Sequence, residues 1–247
     1  MKKILYILYQ PYKWLVFAPI LAISTLFFGF LATLLTFFIN PKIVSLIGVI
    51  WSRMCSYLTP MFVKVTGREN IDRNQSYIIA SNHQSHYDVF VLYGWLGIDF
   101  KWVMKQELRK IPALGIACDK IGHIYIDRSH PEAAIASLNA ARDRLVNGTS
   151  ALFFPEGTRS RSDEMGEFKK GAFKMAITVN LPILPITIIG TRKVLPADTL
   201  NLFPGRTKMI IHKPVDVSGY SDDNIHELME KVKNIIKSGF DMHYSDQ

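Results

Sequence analysis

The feature that most limits what this chain can fold into is a charge-free run from Trp14 to Pro41. Within it, Leu15 to Ile39 is dense in Leu, Phe, Ile and Ala and is long enough to cross a hydrocarbon core of about 30 Å. A segment of this kind is expected to meet a membrane. A secretory signal has a shorter apolar centre, roughly 7–15 residues, closed by a small-residue cleavage site, which this run does not clearly offer. A second apolar stretch, Ile43 to Val63, is interrupted by Arg53 and Pro60. An arginine at the bilayer centre costs about 2.5–3.5 kcal/mol on insertion scales, so a shallow or interfacial helix with a wet side is expected there. Asn40-Pro41 supplies a tight turn between the two. The expectation is a membrane-associated helical hairpin over residues 1–63. Lys2, Lys3 and Lys13 favour a cytoplasmic N-terminus, and a hairpin returns the rest of the chain to that side.

The charge distribution fits a membrane surface better than a nucleic acid. Of a net charge of +8, Lys2, Lys3, Lys13, Lys42 and Arg53 carry five, and no Asp or Glu precedes Glu69. A nucleic-acid binder gathers its basic residues on a polar face or along a helix, whereas here much of the excess flanks apolar sequence. Nucleic acid is therefore not an expected partner. Anionic lipid is, at about 1 kcal/mol per basic residue near the surface. Cys55 and Cys118 have neither CxxC nor Cys/His spacing, so neither a disulfide framework nor a zinc site is expected.

Beyond Lys64 short apolar runs alternate with helical patterns, which predicts an α/β domain over residues 64–247. Strands are expected at Tyr77 to Ser81, Lys101 to Met104, His123 to Ile126, Ala151 to Phe154, Ile183 to Ile189 and Lys208 to His212. Ser129-His130-Pro131-Glu132 has capping-box spacing and an early proline, and Ala134, Leu138, Ala141 and Leu145 recur at helical intervals before Asn147-Gly148. A last helix is expected from Asp222 to Lys237.

Polar groups crowd three strand exits, where α/β sheets usually bind ligands. The first is Ser81-Asn82-His83-Gln84-Ser85-His86-Tyr87-Asp88. Five residues on a regular helix rotate about 140°, so His83 and Asp88 can meet only if the chain turns between them, as in a loop entering a helix. Asp88 would then hold one imidazole nitrogen and leave the other as a base. A simple capping cluster at a helix N-terminus would use the same residue types. The second exit is Phe154-Pro155-Glu156-Gly157-Thr158-Arg159-Ser160-Arg161: Gly157 permits close backbone approach and Arg159 offers a planar fork for phosphate, although Pro-Glu-Gly-Thr can also be only a turn. The third, Gly122 to Arg128, ends in an arginine that an ion pair with Asp127 would also explain. Taken together, the three imply a base beside an anion pocket.

These residues resemble the lysophosphatidic acid acyltransferases, or 1-acylglycerol-3-phosphate acyltransferases, of the wider glycerolipid acyltransferase group. The family's first motif, His and Asp separated by four residues, matches His83 and Asp88; its third, Phe-Pro-Glu-Gly-Thr-Arg-Ser, matches Phe154 to Ser160. Gly122 to Arg128 looks like the second, and Leu181 to Ile186, around Pro182 and Pro185, like the fourth. Lys105, Glu107, Leu108, Pro112 and Gly115 are similar to the family's linking segment, so the likeness covers about Gly67 to Pro196. The apolar start resembles the two-helix membrane motif of bacterial members.

The resemblance implies a mixed sheet flanked by helices, of glycerol-3-phosphate acyltransferase type, behind the N-terminal hairpin. It also implies acyl transfer from acyl-CoA or acyl carrier protein to the sn-2 hydroxyl of lysophosphatidic acid or a related lysolipid, at the cytoplasmic face of a bacterial inner membrane. His83 and Asp88 would be the catalytic pair. Arg128, Glu156, Gly157, Thr158 and Arg159 would bind the phosphate and glycerol, with Asn82, Lys105 and Lys169 as further contacts. Because a carboxylate repels phosphate, Glu156 is expected to orient an arginine or the loop backbone. His86, three residues from His83, has no third ligand placed by spacing, and no metal or cofactor is expected. Ser85 completes a set of triad residue types, but without a Gly-x-Ser-x-Gly elbow direct transfer is expected rather than an acyl-serine.

Overall fold

The computed structural model describes residues 2–111, 114–126, 145, 148–162 and 164–245. Its strands are β1 (Met61–Thr66), β2 (Ile78–Ser81), β3 (Phe100–Lys105), β4 (Ile124–Ile126), β5 (Ser150–Phe153), β6 (Ile183–Ile189) and β7 (Gly205–Ile211). Its helices, numbered among the described residues, are α1 (Lys2–Tyr12), α2 (Ala18–Leu35), α3 (Pro41–Leu58), α4 (Tyr87–Trp95), α5 (Leu114–Ile121), α6 (Gly171–Val179), α7 (Thr191–Val194) and α8 (Ile225–Ser245). The strands form one mixed sheet in the order β1-β7-β6-β2-β5-β3-β4. Strands β6, β2, β5, β3 and β4 are mutually parallel, β7 is antiparallel to β6, and β1 is parallel to β7. The expected α/β architecture, a mixed sheet flanked by helices, is the one found.

Every residue of β2, β5 and β6 is buried, which is why these strands read as short continuous apolar runs and not as alternating ones. Alternation survives in where the side chains go. Ile78 and Ala80 join Phe173 and Met175 of α6 and Leu228 and Val232 of α8, while Ile79 joins Val91 and Leu92 of α4 and Cys55 of α3.

The first helix is longer than its charge-free core. A π-helical turn at Lys13–Phe17 joins α1 to α2, and Tyr6–Leu35 is long and apolar enough to cross a membrane. Residues Thr36 to Asn40 turn the chain into α3, where the Asn40 side chain accepts from Lys42 N at 2.8 Å and Pro41 opens the helix, the arrangement favoured at a helix start. The expected hairpin is present. On its second helix Arg53 is exposed, and its Nε donates to Gly94 O at 2.7 Å with the guanidinium over Trp95, so α4 gives it a partner.

The end of the hairpin departs from expectation. Helix α3 stops at Leu58, Pro60 removes the next backbone donor, and Met61 begins a strand paired with β7. A boundary after residue 63 therefore falls inside β1. The expected strands otherwise lie within about three residues of those observed, and the last helix begins at Ile225 and runs on to Ser245. The helix expected after Ser129, with Arg128 before it, lies outside the described residues.

Apart from Leu108, Ile111, Ile116 and Leu200, every exposed large apolar side chain among the described residues lies between Ile7 and Phe62. Between the hairpin helices and α4 and α5 an apolar cavity of about 70 Å³ is lined by Phe28, Ile47, Trp51, Tyr93, Cys118 and His123, among others. His123 is buried, and its Nδ1 accepts from Trp102 N at 3.2 Å. Burial first, and the Lys101 ammonium second, push its pKa down to about 3. The unfolded chain protonates this histidine near pH 6.5, so below that value the unfolded state holds the extra proton and stability falls, by about 1.4 kcal/mol per pH unit until about pH 3. Denaturant titrations at pH 7 and pH 5 are expected to cost the wild type about 2 kcal/mol more than His123→Gln; equal losses would remove His123 as a cause.

Candidate active site

The carboxyl ends of the parallel strands gather the candidate residues on one edge of the sheet, the usual ligand edge of such sheets. His83 follows β2, Glu156 to Arg159 follow β5, Lys105 ends β3, and Thr191 follows β6 after Gly190. Residues 82–86 form the loop and Asp88 sits in the first turn of α4, so the chain turns between His83 and Asp88 as their spacing requires.

His83 Nδ1 lies 2.8 Å from Asp88 Oδ2. The same oxygen accepts from Gln84 N at 2.7 Å and Ser85 N at 2.9 Å, and Oδ1 accepts from the Thr191 hydroxyl at 2.5 Å. Asp88 is fully buried, and charge-assisted bonds of this kind are stronger than neutral ones. The carboxylate is fixed from three directions and in turn fixes the imidazole. The other support is Phe154, whose ring stacks on that of His83 at 3.8 Å between centroids and 12° between planes. A His ring held at one nitrogen and one face presents Nε2 in a single direction.

Glu156 lies beneath this arrangement. Its Oε1 accepts from His83 N at 2.8 Å, and its Oε2 accepts from Ser160 Oγ and Gly166 N, each at 2.8 Å. Ser160 N donates to His83 O at 2.7 Å. The backbone of His83 is thus clamped on both sides by the loop after β5. With both oxygens bound to its own chain and only 4% of its surface exposed, Glu156 is a brace for the loop and not a contact for phosphate. Asn82 is corrected in the same way: Nδ2 donates to Ile188 O at 2.9 Å and Oδ1 accepts from Ile188 N at 2.7 Å, so its amide ties β2 to β6 and does not face a substrate.

The remaining candidates face outward. Gly157 has φ +73°, and a Cβ there would lie 3.1 Å from Lys169 Cε and Nζ, which brings Lys169 against the loop. Thr158 and Lys105 are exposed. Arg159 is partly exposed, and its Nη2 donates to Asp198 Oδ1 at 3.0 Å. His86 sits beside this group. Its pKa is lowered by partial burial first and then by the Arg159 guanidinium and His83, against an opposing pull from Asp88 and Asp198. Ser85 Oγ donates to Leu195 O at 2.7 Å and accepts from Tyr87 N at 3.1 Å, so its hydroxyl caps α4 and is not aligned on His83. Three contributors escaped the sequence reading: Thr191, Ser160 as a clamp, and Asp198. Thr191 alone had a signal, its place just past a parallel strand ending on the same edge.

The segment that carries this arrangement also falls within a family match. The Acyltransferase family profile matches residues 62–189, from β1 to the end of β6. The chain belongs to the acyltransferase family. Among relatives of this acyltransferase-family chain are a chloroplastic 1-acyl-sn-glycerol-3-phosphate acyltransferase of Arabidopsis thaliana, 34% identical over 68% of this chain and 48% of the relative, and a 1-acyl-sn-glycerol-3-phosphate acyltransferase of Saccharomyces cerevisiae, 36% identical over 70% and 57%. The chain spans about half the length of these curated relatives. The fold is similar to the crystal structure of the 1-acyl-sn-glycerophosphate (LPA) acyltransferase PlsC from Thermotoga maritima, with TM-score 0.83 and 28% identity over 99% of this chain and 98% of that one.

Proposed function

We propose that this chain transfers a fatty acyl group from an acyl thioester, acyl-CoA or acyl carrier protein, to the sn-2 hydroxyl of lysophosphatidic acid, giving phosphatidic acid. The observation that carries this reading is the His83–Asp88 pair, 2.8 Å apart and braced by Glu156, on the sheet edge that also holds Arg159. The relatives' activities and the structural likeness support the substrate class. With Nδ1 engaged by Asp88, His83 Nε2 takes the proton of the acceptor hydroxyl as its oxygen attacks the thioester carbon. The C–S bond breaks as the tetrahedral intermediate collapses, and the imidazolium returns the proton to the departing thiolate. A positioned base of this kind contributes about 10²–10⁴ in rate. Arg159, the backbone at Gly157 and Thr158, and Lys105, Lys169 and Arg128 are the groups we assign to the phosphate. Ser85 is assigned no covalent role, because its hydroxyl is committed to Leu195 O.

We further propose that the chain works on the cytoplasmic face of a bacterial inner membrane, with the hairpin as anchor, an assignment supported by the long apolar helix and the exposed apolar side chains around it. Phe30 is 66% exposed, and a lysine placed at the centre of such a helix costs about 2.5–3.5 kcal/mol. Phe30→Lys is expected to weaken vesicle binding by about 100-fold in a flotation assay; unchanged flotation would contradict the hairpin as the anchor.

Thiol release from acyl-CoA by detergent-purified protein, with and without lysophosphatidic acid, tests the reaction. Release that depends on the acceptor is expected. Release without acceptor would indicate a thioesterase, and faster release with another lysolipid would reassign the headgroup.

A further inference from the structure

Resting on the reading of Arg159 as a phosphate ligand, we propose that Asp198 is a built-in anion that occupies the acceptor's phosphate site until the substrate displaces it. Asp198 lies in the connection between α7 and β7, far in sequence from the arginines it meets. Its Oδ1 accepts from Arg159 Nη2 at 3.0 Å and its Oδ2 from Arg161 Nε at 2.9 Å. One carboxylate thus spans two guanidinium groups at the mouth of the candidate site, through one nitrogen of each. The same residue has φ +58°, a left-handed backbone that costs about 1–2 kcal/mol for most side chains and that Asp and Asn tolerate best. The chain adopts this conformation at the residue whose carboxylate faces both arginines.

The Arg159–Asp198 pair sits beside the catalytic candidates. Both charges act on the His86 imidazole with opposite signs, together with those of His83 and Asp88. The connection itself is tied at two further points: Leu195 O accepts from Ser85 in the loop after β2, and Leu200 O accepts from Lys13 Nζ in the apolar N-terminal helix at 2.8 Å.

A phosphate monoester carries about 1.5–2 negative charges near pH 7 and three acceptor oxygens. The carboxylate carries one charge and two oxygens. A guanidinium fork prefers two parallel bonds to one acceptor group, which Asp198, divided between two arginines, does not supply to either. Phosphate is therefore the stronger partner, and its arrival exchanges one anion for another on Arg159 and releases Asp198. Asp198 is a positioning residue: it holds the arginines neutralised and oriented in the empty site and lowers the affinity for every anion that must displace it.

The test uses the full-length chain in detergent and compares wild type with Asp198→Asn, which keeps a side chain suited to the left-handed backbone. Binding of glycerol 3-phosphate is measured by calorimetry, and KM and kcat for the lysophosphatidic acid reaction are measured in parallel. The expected result is binding tighter by about three- to thirty-fold in the variant, the range for loss of two partly exposed ion pairs, with KM lowered and kcat unchanged. Binding that is equal or weaker in the variant would overturn the proposal, because a merely supportive ion pair cannot improve affinity when removed. If the wild type shows no acceptor-dependent transfer, the proposed reaction fails, while the calorimetric comparison still decides whether Asp198 competes with phosphate.

Discussion

Replacing His83 with alanine is expected to lower kcat for acyl transfer by about 10²–10⁴, the range for loss of a positioned general base, with little change in KM. The geometry explains the size. Asp88 Oδ2 is 2.8 Å from Nδ1, Phe154 stacks on the ring, and the backbone on either side is clamped by Glu156 and Ser160. Two nearby imidazoles are poorly suited to take over: the charged form of His86 is disfavoured by partial burial first and by the Arg159 guanidinium second, and His123, just before β4, is buried. Kinetics of the purified variant check this, with circular dichroism to establish that it is folded. Added imidazole should restore part of the rate, since the base then re-enters the space left by the ring. A variant with more than a tenth of wild-type kcat would contradict a base role for His83.

Glu156→Ala is expected to be nearly as damaging, for a different reason. The carboxylate satisfies the buried Ser160 Oγ and the partly buried His83 N and Gly166 N; a buried donor left without a partner costs about 1–3 kcal/mol, and the partly buried ones cost less because water reaches them. A loss of about 3 kcal/mol in stability is expected, after allowing for water entering the gap. Activity should fall by about 10²-fold or more, because a base displaced by about 1 Å loses its alignment. The discriminating measurement is the division between kcat and KM in the fraction that remains folded. A brace for His83 predicts that kcat falls, whereas a direct ligand of phosphate predicts that KM rises with kcat retained. Glu156→Gln keeps an acceptor for His83 N but turns an amide donor toward Ser160 or Gly166, so it should fall between alanine and wild type.

What the sequence could and could not reveal follows the range of the interactions involved. His83 and Asp88 were legible as a pair because the chain between them is short and must turn at a strand exit. The α/β alternation was legible because the strands are buried on both faces and carry continuous apolar runs. Strand β1 was not, because Met61 to Thr66 continues the apolar character of the segment before it, and only pairing with β7, some 140 residues away, makes it a strand. The role of Asn82 was hidden, while for Glu156 the loop-orienting role was legible from charge repulsion but its partners were not. Both are polar residues in a motif-like setting, and their partners, Ile188, Ser160 and Gly166, are set by the tertiary fold. Asp198 carried no local signal, since its meaning lies in two arginines nearly forty positions earlier.

The most direct test of the whole account is the lipid product itself. Protein purified in detergent is given acyl-CoA and lysophosphatidic acid, and the products are identified by mass spectrometry for wild type and His83→Ala. The account predicts phosphatidic acid and free CoA in equal amounts from the wild type, no acylated protein, and loss of both products in the variant. Phosphatidic acid formed equally well without His83, or an acyl group trapped on Ser85, would contradict it.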